Sequence, residues 1–287
     1  MVTVNLTTTR QRLQLCRISV TSLLMQSRCP DGINLWISSG PYLSDSGVVD
    51  SQDVEDFFNY LPEEARQLVS VRWVKNTGPY RKLIPILREA SAVDIIVTAD
   101  DDIFYGEYWL QKLLSDFYPE NNTMVAARVR EKRYNIFGKK TSYLFWDLIT
   151  QSTTIDDDYV VTFGGGAVLM RSMFQEQDIM DDAYLSVAPT ADDLWYSKLL
   201  RRNGVKIRVL SDALKELNFI EHDSGLKNNN NLPVGLSFLH ELKMRIWNGI
   251  TGRLGAQVCG NDEAYSKIEE YFSRGSGADL KSGSKSV

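Results

Sequence analysis

The chain has 287 residues, 43% hydrophobic and 24% charged, with a formal net charge of −5 at pH 7. That length supports one large domain, or a main domain with a small appendage, in an ordinary globular composition. The acidic balance argues against an unspecific nucleic-acid binder, and no apolar run approaches the roughly 18–20 residues of a membrane span.

Cys16, Cys29 and Cys259 lack metal-type spacing, so free thiols are expected and zinc is not. Met1-Val2-Thr3-Val4-Asn5 has neither the charged nor the long apolar region of a secretion signal, which sets a cytoplasmic expectation. Val2–Thr8 alternates and is rich in β-branched residues, predicting a first strand with Thr7-Thr8-Thr9-Arg10 as its carboxyl-end loop. Leu15, Ile18 and Leu23 stand at helical spacing and predict a helix over 13–26. Pro30-Asp31-Gly32 marks a turn, and Ile33–Ser38 a second strand. Strand, helix, strand in this order opens a parallel α/β sheet.

Residues 39–52 read as a loop, followed by helices near Val54–Tyr60 and Glu63–Leu68 and a strand over Val69–Val74. Gly78-Pro79 opens a turn into a helix near Lys82–Ala90. Ile95-Ile96-Val97-Thr98-Ala99 is an uninterrupted apolar run, which predicts a buried central strand. It ends in Asp100, Asp101 and Asp102. Three adjacent like charges are tolerable there if a cation sits among them or if water solvates them. Ligands of open α/β sheets collect at such strand ends, so the expectation is a divalent ion, Mn²⁺ or Mg²⁺, holding a phosphorylated ligand. The bland reading is a solvated acidic turn or a helix N-terminus.

Downstream, Gly106–Phe117 reads as a helix with Trp109 in the core, and Met124–Ala127 as a short strand. Arg128, Arg130, Lys132, Arg133, Lys139 and Lys140 against Glu131 form a basic run. It reads as a solvated loop, a cover for a diphosphate, or a face toward a polyanionic acceptor or anionic lipid surface. Tyr159–Phe163 predicts a strand running into Gly164-Gly165-Gly166, where backbone can approach a ligand closely. Ala191–Leu200 predicts a helix with Asp192 and Asp193 in its first turn and Trp195 in the core. Val205–Leu210 predicts another strand. Asn228–Asn231 is linker chemistry, helices are expected over 236–250 and 262–272, and Gly275–Val287 is expected to be disordered.

A strand followed by Asp-x-Asp and an aromatic-containing segment resembles the metal-binding motif of GT-A-fold glycosyltransferases. The order of Leu6-Thr7-Thr8, Ile33–Ser38, Gly78–Pro85, Gly164–Gly166 and Ala191–Trp195 is similar to that fold, most closely to its family 2-like bacterial enzymes. A lone Asp-x-Asp is short and common; the ordered set, over about residues 2–225, is more specific. The resemblance implies an α/β, GT-A-like (Rossmann-like), mostly parallel central sheet flanked by helices over 1–225, with a small helical extension over 226–274.

It also implies metal-dependent transfer of a sugar from a nucleotide donor, UDP favoured, to a hydroxyl of a glycan or lipid-linked glycan in surface polysaccharide synthesis, with inversion. By that resemblance Asp102 and Asp100 hold the metal with His222, Asp223 being the fallback, and Asp100 and Asp101 have a ribose role open to them. Thr8 lies at the nucleotide base, Lys82 at the diphosphate, and Gly165 and Gly166 at the donor. Asp193 matches the general base; Asp192 stands where Glu is more usual, which leaves open which aspartate acts. The implied partners are a nucleotide sugar and a glycan acceptor, not nucleic acid, with a peripheral contact at the inner face of a membrane left open by the basic run. A sugar-phosphate nucleotidyltransferase shares the plan, but its phosphate loop carries glycines that Thr7-Thr8-Thr9-Arg10 lacks. A non-catalytic nucleotide- or glycan-binding module is disfavoured because a candidate base and a metal cluster are both present.

Overall fold

A computed structural model of the chain describes residues 1–48, 51–59, 61–221 and 247–282. Four parallel strands form one half of the main sheet: β1 (Val2–Thr7), β2 (Gly32–Ile37), β3 (Val69–Trp73) and β4 (Ile95–Thr98), in the spatial order β3-β2-β1-β4. Buried Val4, Leu6, Ile33, Leu35, Ile96 and Val97 supply their apolar content. The helix Leu13–Leu24 makes the first crossover and turns Cys16, Val20 and Leu23 inward.

The remaining strands are β5 (Ile103–Tyr105), β6 (Thr123–Ala126), β7 (Val129–Glu131), β8 (Asp147–Leu148), β9 (Thr153–Ile155), β10 (Tyr159–Val161), β11 (Ala167–Met170), β12 (Lys206–Val209) and β13 (Leu217–Phe219). Past β4 the sheet continues β11-β6-β12-β9. β11 runs antiparallel to both β4 and β6, β12 parallel to β6, and β9 antiparallel to β12. The architecture is therefore α/β, with a mixed eight-stranded sheet in which four of seven pairings are parallel, flanked by helices. The helices Trp109–Ser115 and Asp192–Arg202 bury Trp109 and Trp195, as their helical setting predicts.

Two differences from the expected order shape the site. β11 was hidden, because four apolar residues after a glycine run carry no strand period of their own. Tyr159–Val161 does form a strand, but it pairs with β7 in a separate three-stranded sheet, β10-β7-β8. The basic run is therefore not all loop: Val129–Glu131 is the middle strand of that small sheet.

The helix Gly260–Ser282 lies against the helix Asp192–Arg202, with Phe272 and Tyr271 ring centroids 5.0 and 5.7 Å from Trp195. Asp262 at its start accepts from Ser142 Oγ at 2.6 Å and from the Tyr143 backbone N–H at 2.7 Å. This helix runs on through the first part of the stretch for which disorder is expected; once nucleated, a helix gains a bond for each residue it orders. The expected linker Asn228–Asn231 and most of the helix expected over 236–250 lie outside the described residues. Among those described, no helix is long and apolar enough to cross a membrane.

Candidate active site

The site is built at the carboxyl ends of β1 and β4, where an open α/β sheet leaves a crevice. Antiparallel β11 starts where β4 ends, with Ala167 opposite Thr98. This reversal brings the glycines that precede β11 beside the aspartates that follow β4. The Asp100 backbone N–H donates to Tyr105 Oη at 2.7 Å, and the Tyr105 hydroxyl donates to the Gly164 carbonyl at 2.7 Å. A methyl group on Gly164 would overlap the Asp100 carboxylate. At Gly165 it would come within 2.7 Å of Arg128 Cβ, and at Gly166, where φ is +107°, within 2.6 Å of the Trp109 ring. The glycines thus serve close packing, and Gly166 also a backbone conformation that other residues rarely adopt.

The three aspartates point three ways. Asp100 keeps 35% of its side chain open to solvent and places Oδ1 2.9 Å from Lys82 Nζ. Asp101 is buried, accepting from Thr8 Oγ1 at 2.6 Å and pairing with Arg12 Nη2 at 2.5 Å. Asp102 Oδ2 lies 2.9 Å from Arg12 Nη2 and its side chain is 25% exposed. The cations among the three like charges are therefore side chains of the protein itself, Arg12 and Lys82. Thr8, also buried, uses its hydroxyl on Asp101, so this pair braces the strand ends and leaves the crevice to Asp100 and Asp102.

Lys82 ends the tight turn Gly78–Lys82 and is itself buried. It bridges to Asp192 Oδ2 at 3.1 Å. Burial works against its charge, but Asp100, Asp192 and Asp193 outweigh burial and raise the ammonium well above its ordinary value. Burial likewise opposes the Asp100 charge, and Lys82, then Arg12 and Arg128, hold that carboxyl below the usual range. Burial raises the Asp192 carboxyl against the pull of Lys82.

Asp193 is half-buried, and its Oδ1 accepts from the Phe163 backbone N–H at 3.0 Å. Burial and neighbouring Asp192 push its carboxyl up to about 7. Of the two acids at this helix start, Asp192 is held on Lys82 and Asp193 is the more open.

Asp100 and Asp102 are part-exposed carboxylates one residue apart, a hard-oxygen donor set that suits Mg²⁺ or Mn²⁺. Among the described residues no three His, Cys, Asp or Glu side chains form a metal-holding group. His222 and Asp223 lie outside the described residues. The chain approaches the aspartates just before them: β13 pairs antiparallel with β5, and the Ile220 N–H donates to the Asp102 carbonyl at 2.9 Å.

Several site residues have no signature in the sequence. Arg12 reads there only as a basic residue before a helix. Arg81 forms a buried pair with Asp45 at 2.8 Å and donates to the Thr8 carbonyl at 3.3 Å. Asp45 also accepts from Asn76 Nδ2 at 3.0 Å and from the Gly47 N–H at 2.9 Å. Among the described residues, Arg81 Nη1 is buried without a partner. Asp45 sits in a Ser/Gly/Asp stretch whose composition signals only a loop. Arg128 lies over the Phe219 ring at 5.1 Å, and Arg130 over the Tyr143 ring at 5.6 Å. Their only sequence signal is the basic run. A groove lined by Gln177, Asp178, Arg202 and Tyr271 contains none of the predicted site residues.

No protein-family model and no curated protein sequence matches the chain. Among solved structures, it is similar to the 4-diphosphocytidyl-2C-methyl-D-erythritol synthase of Anaerococcus prevotii: 12% identity, TM-score 0.45, covering 73% of this chain and 86% of that one. It is also similar to residues 1–349 of S. aureus TarS: 17% identity, TM-score 0.46, covering 74% of this chain and 58% of that one.

Proposed function

We propose that the protein is a glycosyltransferase that moves a sugar from a nucleotide donor, UDP-linked by preference, to a hydroxyl of a glycan or lipid-linked glycan acceptor in surface polysaccharide synthesis. The observation that carries this reading is the bridge from Asp100 through Lys82 to Asp192. It joins the Asp-x-Asp strand end to the acids of the helix Asp192–Arg202, so one crevice has a phosphate-facing end and a proton-accepting end.

Thr8, Arg81 and Asp45 mark the nucleoside end, where Arg81 Nη1 has no partner among the described residues and can donate to the ligand. Lys82 and Arg128 attract the donor's diphosphate. Asp100 and Asp102 would hold Mn²⁺ or Mg²⁺, with His222 as the third ligand. When bound, such an ion supplies Lewis-acid neutralisation of the leaving phosphate. Asp101 braces Arg12 and Thr8, and the ribose contact falls to Asp100.

The bond to the leaving phosphate breaks as the acceptor oxygen bonds to the anomeric carbon. The hydroxyl proton passes to Asp193, whose carboxyl near 7 is matched to neutral operation. A base across the sugar from the leaving phosphate gives inversion. Asp192, held by Lys82, positions that helix start.

The test is donor binding and hydrolysis across a panel of nucleotide sugars, with and without Mn²⁺. Mn²⁺-stimulated release of a nucleoside diphosphate from one donor is the expected result. No donor bound under either condition overturns the reading. Pyrophosphate formed from a nucleoside triphosphate and a sugar phosphate instead assigns a nucleotidyltransferase.

A further inference from the structure

Beyond β7 the chain makes a compact excursion in which Tyr134 bridges back to Lys140. Asn135 Oδ1 accepts the Phe137 and Lys139 backbone N–H groups at 2.9 and 3.0 Å, and Gly138 turns the chain at φ +70°. This ordered turn carries Ile136 and Phe137 at its tip, 94% and 70% exposed. A structured loop that holds two large apolar side chains in water pays for nothing inside the fold, and such a patch marks a contact with something outside it.

A second apolar segment lies beside it. Asn135 Nδ2 donates to the Arg253 carbonyl at 3.2 Å, and the Ser142 N–H donates to the Gly252 carbonyl at 2.9 Å. Gly255, at φ +95°, sits against Lys139 and Lys140, where a methyl group would come within 3.0 Å of the Lys140 carbonyl. The helical residues 247–253 are thereby fixed next to the turn, with Trp247, Ile250 and Leu254 exposed.

The segments that form this surface are basic whereas the chain as a whole is acidic, and the carboxylates that reach its edge, Asp158 and Asp147, are held by Lys132 with Tyr134 and by Arg133. Residues 132–146 and 247–261 contain no Asp or Glu, whereas the whole chain is −5. Lys139 and Arg253 form no ion pair among the described residues. Arg133 pairs with Asp147, and Lys140 lies over the Tyr265 ring at 3.1 Å.

We propose that this face, the 134–140 turn together with 247–254, docks on an anionic lipid surface. Ile136, Phe137, Leu254 and Trp247 enter the interfacial layer while Lys139 and Arg253 meet lipid phosphates. Apolar and aromatic side chains interleaved with basic ones are what such a surface binds. The acidic remainder of the chain is repelled by the same membrane, so the attachment is oriented. A second copy of this chain is a poor occupant, because a two-fold contact would set each basic cluster against its own copy. The docking does not depend on the proposed transfer reaction. It does lie along the strand that leads from Arg128 and Arg130, so the crevice would be held near a lipid-linked acceptor.

The experiment is co-sedimentation of the full chain with phosphatidylcholine vesicles, with and without phosphatidylserine, at low and high salt. Binding to the phosphatidylserine vesicles alone, weakened by salt, is expected. Lys139→Glu and Arg253→Glu should each weaken it about fivefold or more, and Ile136→Ser with Phe137→Ser should abolish it. These positions are exposed, so an unchanged thermal midpoint shows that the variants fold. No sedimentation with either vesicle, equal binding to both, or binding that ignores the turn variants overturns the proposal. So does a dimer in solution that Phe137→Ser dissociates, or tight binding of a soluble polyanionic glycan in place of vesicles. Donor hydrolysis measured without vesicles separates failure of this surface from failure of the transferase reading.

Discussion

Lys82 Nζ lies 3.1 Å from Asp192 Oδ2, a buried contact between a turn after β3 and the first residue of the helix Asp192–Arg202. With the second contact to Asp100, one ammonium balances acids that approach from opposite sides of the crevice. Lys82→Met removes that charge and leaves both acids facing each other. Loss of one partner from a buried pair costs about 3–5 kcal/mol, and the open side of Asp100 places this case at about 3. Urea unfolding measures it, and Lys82→Arg is expected to retain part of the stability.

Asp101 and Asp102 should separate in their effects, although they are adjacent and both touch Arg12. Asp101→Ala leaves Arg12 and Thr8 without their buried partner and is expected to destabilise the fold by about 2–4 kcal/mol. Asp102→Asn keeps the shape of a part-exposed side chain and should cost under about 1 kcal/mol. It should instead remove Mn²⁺ stimulation of donor turnover, read by titrating Mn²⁺ against the parent protein.

Asp193 links activity and stability to pH. The base must be ionised, so kcat is expected to rise with pH and level off above about 7. For stability the sign runs the other way. A carboxyl whose folded value is raised holds its proton more tightly in the folded state, so its contribution is fully present below the unfolded value near 4. That contribution is lost as pH rises through about 7. Asp193→Asn should make this decline shallower in thermal scans between pH 4 and 8, the remainder belonging to Asp101, which burial also pushes up to about 7. The same substitution should leave donor binding intact and abolish transfer; unchanged transfer would exclude Asp193 as the base.

Two glycine substitutions probe the reversal at β11. Gly164→Ala drives a methyl group into the Asp100 carboxylate and should reduce donor affinity more than stability, since that side chain can swing toward solvent. Gly166→Ala meets the Trp109 ring, which is buried, at a backbone angle of +107°. It is expected to destabilise by about 2 kcal/mol or more. Denaturation midpoints and donor Kd values, measured for both variants, should separate the two effects.

Phe272→Ala tests whether the last helix belongs to the fold. Phe272 is buried against Trp195, and removing a buried aromatic costs about 3–5 kcal/mol. A single unfolding transition at lower denaturant is the expected outcome. An unchanged midpoint would mean that the helix contributes no stability.

The parallel half of the fold was legible because its signals are local. β1 alternates apolar and polar residues, β4 is a continuous apolar run, and β2 and β3 are short segments rich in strand-forming residues between turn residues. The crossover helix shows a helical spacing, although Ile18 within it faces solvent. The acids that end β4 and begin the helix Asp192–Arg202 were visible for the same reason, since each is an interruption within a patterned segment. Pairing is a property of two segments at once. Ala167–Met170 carries no mark that it will run antiparallel between β4 and β6, and that reversal puts Gly164 beside Asp100. Arg12, Arg81 and Asp45 were illegible because each partner lies far along the chain, and a long-range ion pair leaves no spacing to read. Local patterning alone specifies an α/β chain with acids at a strand end. That Arg12 and Lys82 neutralise those acids, that Asp101 turns inward to Thr8, and that Lys82 also holds Asp192 follow from the folded arrangement, because charge balance in a buried site depends on which side chains meet there.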